Sequence, residues 1–250
     1  LLERPISVSA LKKYERCPYS FFLQYRKGIR DVAGPAAKLG LAVHKALDYA
    51  FLQYKSGLSF TLQELTTVVY SKLTAEGISH GLAQNMLFEA DQMLRAFDFR
   101  GVFSAPVAAS EVRINFERRP NTDLAPYNVT FIVDLLTESA PGTPERKALV
   151  WDYKSDRAVD EAKHRFQLSA YRAFIAETRG FERVGAVLYF LRHPNPIVPV
   201  KVMSTSAVWE VIDGMMALIR AEKWSPKASK KNCNEPWQCG HRHVCEYYRG

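Results

Sequence analysis

The chain has 250 residues, 47% hydrophobic and 24% charged, which is enough apolar content for one globular domain with a full core. No apolar run approaches the roughly 18 residues that span a bilayer, and the N-terminal Leu-Leu-Glu-Arg-Pro has neither a signal-peptide pattern nor an initiator Met, so we expect a cytoplasmic protein without a membrane partner, trimmed or cut from something larger. The net charge of +8 favours a polyanionic partner, nucleic acid before anionic membrane.

In chain order, residues 7–16 read as a short helix capped by Ser7 or Ser9. Pro18 disfavours helical geometry at Cys17, so that helix should end there. An aromatic helix follows over 19–25, then a loop over 31–37. Helical spacing recurs at 39–54, 61–76 and 82–98, making residues 41–100 a helical block without strand signal. Alternation then predicts strands at 110–118 and 127–138, a turn-rich connection over 139–144, and a strand at 148–153. A helix over 160–178, strands at 184–191 and 197–203, and a helix over 206–222 complete the core, and the tail from Trp224 is polar and cysteine-bearing. This order implies an α/β fold, a mixed sheet flanked by helices.

Asp152 and Lys154 lie two apart on a predicted strand, so both point to one face while Tyr153 points to the other. Asp134 ends the apolar run Phe131-Ile-Val, on a strand expected to pair with 148–153. Two carboxylates on adjacent strands form a hard oxygen site suited to Mg²⁺ or Mn²⁺. Such an ion polarises a phosphodiester, and a lysine beside it neutralises charge growing on the phosphate. Taken alone, Asp-x-Lys reads as an exposed cross-strand cluster making surface ion pairs, because the tripeptide is common. Other residues accompany it. His44 stands one helical turn after Gly40 and is a candidate ligand. Gln167 and Tyr171 share a helix face, with His164 one turn earlier. Glu111 would add a carboxylate, and Lys163, Arg165 and Arg172 would contact phosphates.

Cys17 stands alone near the start, and Cys233, Cys239 and Cys245 form a C-x5-C-x5-C run at the end. Without a secretion signal they read as metal ligands or free thiols before disulfides. A centre holding all four would clasp the first helix to the tail. Four thiolates suit [4Fe–4S] or Zn²⁺. The x5 gaps differ from the short knuckles of zinc sites, while His241 and His243 keep a Cys/His zinc site open. Lys227, Lys230, Lys231, Arg242 and Arg249 would form a DNA-facing patch around it.

The ordered set Gly40-x3-His44, Asp134, Asp152-x-Lys154 and Gln167-x3-Tyr171 resembles the RecB/AddB nuclease-domain family of the PD-(D/E)XK superfamily along nearly the whole chain. The cysteine layout, with Ser7-x-Ser9-x-Leu11-x2-Tyr14-x2-Cys17-Pro18, resembles its iron–sulfur branch, which includes AddB and CRISPR-associated adaptation nucleases. The segment at Asp134 departs from many members: it lacks the preceding Gly, the following Arg-x-Asp and a preceding proline. The resemblance implies one nuclease domain over 1–250, with N-terminal helices (1–38), a helical insertion (39–105), a restriction-endonuclease-like core (106–222) and a cluster-binding tail (223–250). It implies catalytic roles for Asp134, Asp152, Lys154, Gln167 and Tyr171. It also implies an Mg²⁺ or Mn²⁺ ion on His44, Asp134, Asp152 and the Tyr153 carbonyl, and a [4Fe–4S] cluster on Cys17, Cys233, Cys239 and Cys245. The expected activity is exonucleolytic hydrolysis of single-stranded DNA or DNA ends in repair, recombination or related processing. With no P-loop in the chain, any helicase motor is a separate domain or partner. The competing readings are a catalytically silent DNA-binding module of this fold and a zinc-stabilised RNA-binding protein.

Overall fold

The computed structural model describes residues 5–140, 142–143, 145–234 and 239–248, with only the backbone of Val107, Lys230 and Lys231. The expected phosphate contacts of Lys230, Lys231 and Arg249, and both prolines of the 139–144 turn, lie outside the described residues.

Strand β1 (Ile6–Ser7) leads into α1 (Val8–Arg16). Ser7 caps α1, its Oγ accepting from Ala10 N at 3.0 Å. The helix ends at Cys17, which is extended, and α2 (Pro18–Tyr25) starts on a proline, where the missing N–H costs nothing. Helix α3 (Pro35–Lys55) begins four residues before the expected Leu39, again on a proline. Helix α4 (Leu62–Ala75) is closed by a Thr61–Glu64 capping box, and α5 (His80–Ala96) follows. A short helix absent from the expected elements, α6 (Phe99–Phe103), is capped by Asp98, which accepts from Gly101 N at 2.8 Å.

Then come β2 (Val107–Arg118), β3 (Tyr127–Glu138), β4 (Lys147–Lys154), α7 (Ala162–Arg179), β5 (Arg183–Phe190), β6 (Ile197–Pro199), α8 (Thr205–Arg220) and α9 (Lys230–Cys233). Gly180 takes the left-handed conformation, φ +62°, that closes α7. The expected strand 197–203 stops at Pro199, whose nitrogen cannot donate to a ladder. The sheet is mixed, in the order β1-β3-β4-β5-β6, with β2 also paired to β3. β1 runs parallel to the start of β3, β4 antiparallel to its end, β5 parallel to β4, and β6 antiparallel to β5.

The chain divides into two compact units. One comprises residues 35–112 and 132–202. Its core joins Leu39, Val43, Leu47 and Phe51 of α3 to apolar side chains of α4, α5 and α6. Leu135, Tyr153 and Tyr189 from the strands complete that core. Tyr153 is thus buried among apolar neighbours, as the period-two reading of Asp152-Tyr-Lys154 requires. The other unit comprises residues up to 34, 113–131 and from 203 onward. In it Trp224 stacks on Phe21 at 5.9 Å, and Tyr14 donates to the Lys223 carbonyl at 2.7 Å.

Candidate active site

The paired rungs of β3 and β4 run from Glu138 opposite Ala148 to Leu135 opposite Trp151. Beyond the last rung the Asp134 side chain takes over, its Oδ2 accepting from Tyr153 N at 2.7 Å. This bond fixes the Asp134 carboxylate beside β4. On its other side β4 is fully laddered to β5, from Lys147 opposite Arg183 to Lys154 opposite Phe190. Asp152 and Lys154 therefore sit on a strand held from both edges.

Asp152 is buried, 4% exposed. Its Oδ2 stands 2.5 Å from Lys154 Nζ, a buried ion pair in which Lys154 is the only partner of that oxygen among the described contacts. Burial would discharge Lys154, yet Asp152 and Asp134 outweigh it and hold the amine above its usual pKa. Lys154 is a cation as arranged, suited to neutralising charge rather than accepting a proton.

His44 Nδ1 lies 3.3 Å from Asp134 Oδ1. Burial favours the neutral imidazole, but Asp134 prevails and the His44 pKa is raised. Burial likewise opposes charge on Asp134; His44, Lys154 and the Tyr153 amide reverse this and hold its carboxyl below the usual range. A pocket beside this pair is lined by His44, Asp48, Ser110, Glu111, Asp134 and Tyr153, among others. Glu111 has φ +49°, left-handed for a non-glycine residue within a strand.

From α7, Gln167 Nε2 donates to Tyr171 Oη at 2.7 Å. Burial, reinforced by the negative charge of Asp152, pushes the Tyr171 hydroxyl far up, so it stays protonated beside the carboxylates. His164, one turn before Gln167, is buried, and its Nε2 meets Asp156 Oδ2 at 2.8 Å. Asp156 also binds Lys163 Nζ at 3.1 Å. Lys163 is thus held by a carboxylate, while Arg172 Nε donates to the Val184 carbonyl at 3.4 Å.

The structure thus brings His44, Asp134, Asp152, Tyr153, Lys154 and Tyr171 into one electrostatic neighbourhood. Among the described residues, however, no group of three or more His, Cys, Asp or Glu side chains stands in ion-binding geometry. The carboxylates are instead engaged by His44 and Lys154. The donor set nonetheless has the chemistry of a hard divalent-ion site: two carboxylates and an imidazole. Sequence reasoning missed Asp48 and Asp156. The spacing of Asp48, one turn after His44, was the available signal.

In the other unit the four cysteines are free thiols. Burial, and after it the charges of Cys17, Cys239 and Cys233, push the Cys245 thiol upward, but among the described residues no three of the cysteines stand in ion-binding geometry. Cys239 N donates to the Cys233 carbonyl at 2.9 Å, and Lys227 N reaches Cys17 Sγ at 3.5 Å. His241 is fully buried with both ring nitrogens engaged, Nδ1 with Ser20 Oγ at 3.0 Å and Nε2 with the Ile29 carbonyl at 2.9 Å. His241 also interacts with Cys239, lowering the pKa of that thiol.

The model of the PD-(D/E)XK nuclease superfamily matches residues 5–246. The chain belongs to the PD-(D/E)XK nuclease superfamily. Its members are hydrolases of nucleic acids that generally use Mg²⁺ or Mn²⁺. The crystal structure of a "Putative exonuclease" from Eubacterium rectale is similar at a TM-score of 0.52 and 11% identity, covering 90% of this chain and 84% of that one, and it supports the PD-(D/E)XK fold. The crystal structure of SSO0001 matches at a TM-score of 0.40 and 16% identity, over 82% of this chain and 96% of that one. No curated protein matches the sequence. No described helix of this PD-(D/E)XK chain is long and apolar enough to cross a membrane.

Proposed function

We propose that the chain is a divalent-ion-dependent deoxyribonuclease of the RecB/AddB type, acting on single-stranded DNA or DNA ends in repair, recombination or related processing, with a helicase as its natural partner. The observation that carries this reading is the meeting of Asp134, Asp152, Lys154 and His44 on the β3–β4 pair and α3, two carboxylates held by an imidazole and an ammonium.

In this reading His44, Asp134, Asp152 and the Tyr153 carbonyl hold Mg²⁺ or Mn²⁺, which when bound polarises the phosphodiester and acidifies water. Lys154 releases its hold on Asp152 and offsets charge growing on the phosphate. The Tyr171 hydroxyl stays protonated and, fixed by Gln167, serves as a neutral donor against the carboxylates. The net charge of +8 supplies sequence-independent affinity for DNA that weakens with salt. Cys17, Cys233, Cys239 and Cys245 hold a [4Fe–4S] cluster with a structural role, since hydrolysis transfers no electrons.

The test is cleavage of end-labelled single- and double-stranded DNA with Mg²⁺ or Mn²⁺, wild type beside Lys154→Ala. We expect wild-type cleavage, at least a hundredfold loss in the variant on the scale of a removed transition-state charge contact, and unchanged folding by circular dichroism. Equal cleavage by both proteins removes Lys154 from the reaction. DNA binding without cleavage by either points to a silent binding module.

A further inference from the structure

Asp48 lines the same pocket as His44, Glu111 and Asp134, and no motif singled it out. It sits on α3 one turn after His44 and is only 8% exposed, beside the core residues Leu47 and Phe51. A carboxylate buried there is tolerated only if it is well bonded. Its Oδ1 accepts from Ser110 Oγ at 2.6 Å and its Oδ2 from Lys45 Nζ at 2.7 Å. Ser110 immediately precedes Glu111, whose φ of +49° interrupts the regular backbone of β2. Non-glycine residues keep that conformation only where their surroundings hold them. Glu111 is exposed, so core packing does not require its placement. Its carboxyl nevertheless lies within the electrostatic reach of Asp134, Asp48 and His44.

We propose that Asp48 is a positioning residue. Through Ser110 it holds β2 in the irregular form that turns Glu111 toward Asp134 and His44, so that Glu111 adds an anionic acceptor to the ion site. The inference rests on the ion-dependent reading of that site. It differs from a simple helix-to-strand tether in one respect: a tether would affect stability, whereas this arrangement also sets affinity for the ion.

The test measures Mn²⁺ binding by calorimetry and electron paramagnetic resonance, without DNA, on full-length wild type, Asp48→Ala, Asp48→Asn, Ser110→Ala, Glu111→Gln and the Asp48→Ala/Glu111→Gln double variant. We expect Asp48→Ala, Ser110→Ala and Glu111→Gln each to weaken Mn²⁺ binding roughly tenfold, as loss of an outer-shell partner does. Asp48→Asn should stay near wild type, since its amide oxygen still accepts from Ser110. The double variant should be no weaker than Glu111→Gln alone, because both changes act through one carboxylate. Wild-type affinity in Ser110→Ala together with Glu111→Gln, or losses that simply add in the double variant, overturns the proposal even if Asp48→Ala does not fold. Absence of Mn²⁺ binding by the wild type overturns the ion-dependent reading itself, and this proposal with it.

Discussion

A Cβ built on Gly40 would stand 2.7 Å from Ser155 Oγ, with the next Ser155 atom at a comfortable 3.8 Å. Ser155 directly follows Lys154, so the glycine of the Gly40-x3-His44 spacing lets α3 approach the end of β4 closely enough for His44 to reach Asp134. A glycine inside a helix costs about 1 kcal/mol relative to alanine, which this contact justifies. Gly40→Ala should therefore displace the Ser155 hydroxyl and lower cleavage severalfold, with little loss of stability because helix propensity improves. Gly40→Ala/Ser155→Ala removes the clashing atom. Its cleavage should return to within about twofold of Ser155→Ala alone, and it should melt above wild type, the helix gain of about 1 kcal/mol now being unopposed. A double variant as impaired as Gly40→Ala places the role of the glycine elsewhere.

At the scale of elements, the link from β4 to α7 is pinned by Asp156, which bonds His164 and Lys163. Burial opposes its charge, but the His164 hydrogen bond and Lys163 prevail and bring its pKa down to about 2. A carboxylate depressed on folding contributes stability above its unfolded value of about 3.9, and that contribution disappears as pH falls through the folded value. Asp156→Asn should melt below wild type at neutral pH, with the gap closing between about pH 4 and pH 2 as Asp156 of the wild type protonates. Melting curves in that window test it, and a constant gap would show that the pair does not titrate there.

Elements of this unit also show what a sequence reveals and what it conceals. β3 was legible to the residue because Tyr127–Glu138 alternates and turn-forming residues flank it. The Asp152/Lys154 face followed from period two alone. By contrast, Ser110 and Glu111 carry no local sign of a left-handed residue, because the conformation depends on a partner in a helix far back in the chain. Helix α6 is too short for periodicity to speak, and only the Asp98 cap announces it. The truncation of β6 could have been read from Pro199.

For the whole molecule, the cysteine-bearing unit shows how ends remote in sequence become one structure. Protein bonds already tie the tail to α1 and α2: Asn232 Nδ2 donates to the Arg16 carbonyl at 3.4 Å, Lys227 Nζ to the Glu15 carbonyl at 2.8 Å, and Tyr19 Oη to Glu246 Oε1 at 2.6 Å. Most of these bonds are exposed at the surface, and each is worth only about 1 kcal/mol net. Aromatic packing of Trp224 on Phe21 and of Tyr247 on Tyr19 adds to them, against a closure entropy that grows slowly with loop size. The proposed cluster across Cys17, Cys233, Cys239 and Cys245 would add a further tie between the same ends. Protein purified anaerobically should accordingly contain iron and sulfide in equal amounts and absorb broadly in the visible. Cys17→Ser should lose most of the iron, since it removes the ligand contributed by the other end of the chain. Its tail should become sensitive to limited proteolysis beyond Trp224 at protease levels that leave wild type intact. His241→Ala removes the contacts to Ser20 and Ile29 but no thiolate, so it should loosen the tail while retaining iron. Stoichiometric zinc in anaerobically prepared wild type, or full iron in Cys17→Ser, would exclude a four-cysteine iron–sulfur centre and leave the polar bonds and the aromatic packing of Trp224 on Phe21 to hold the two ends together.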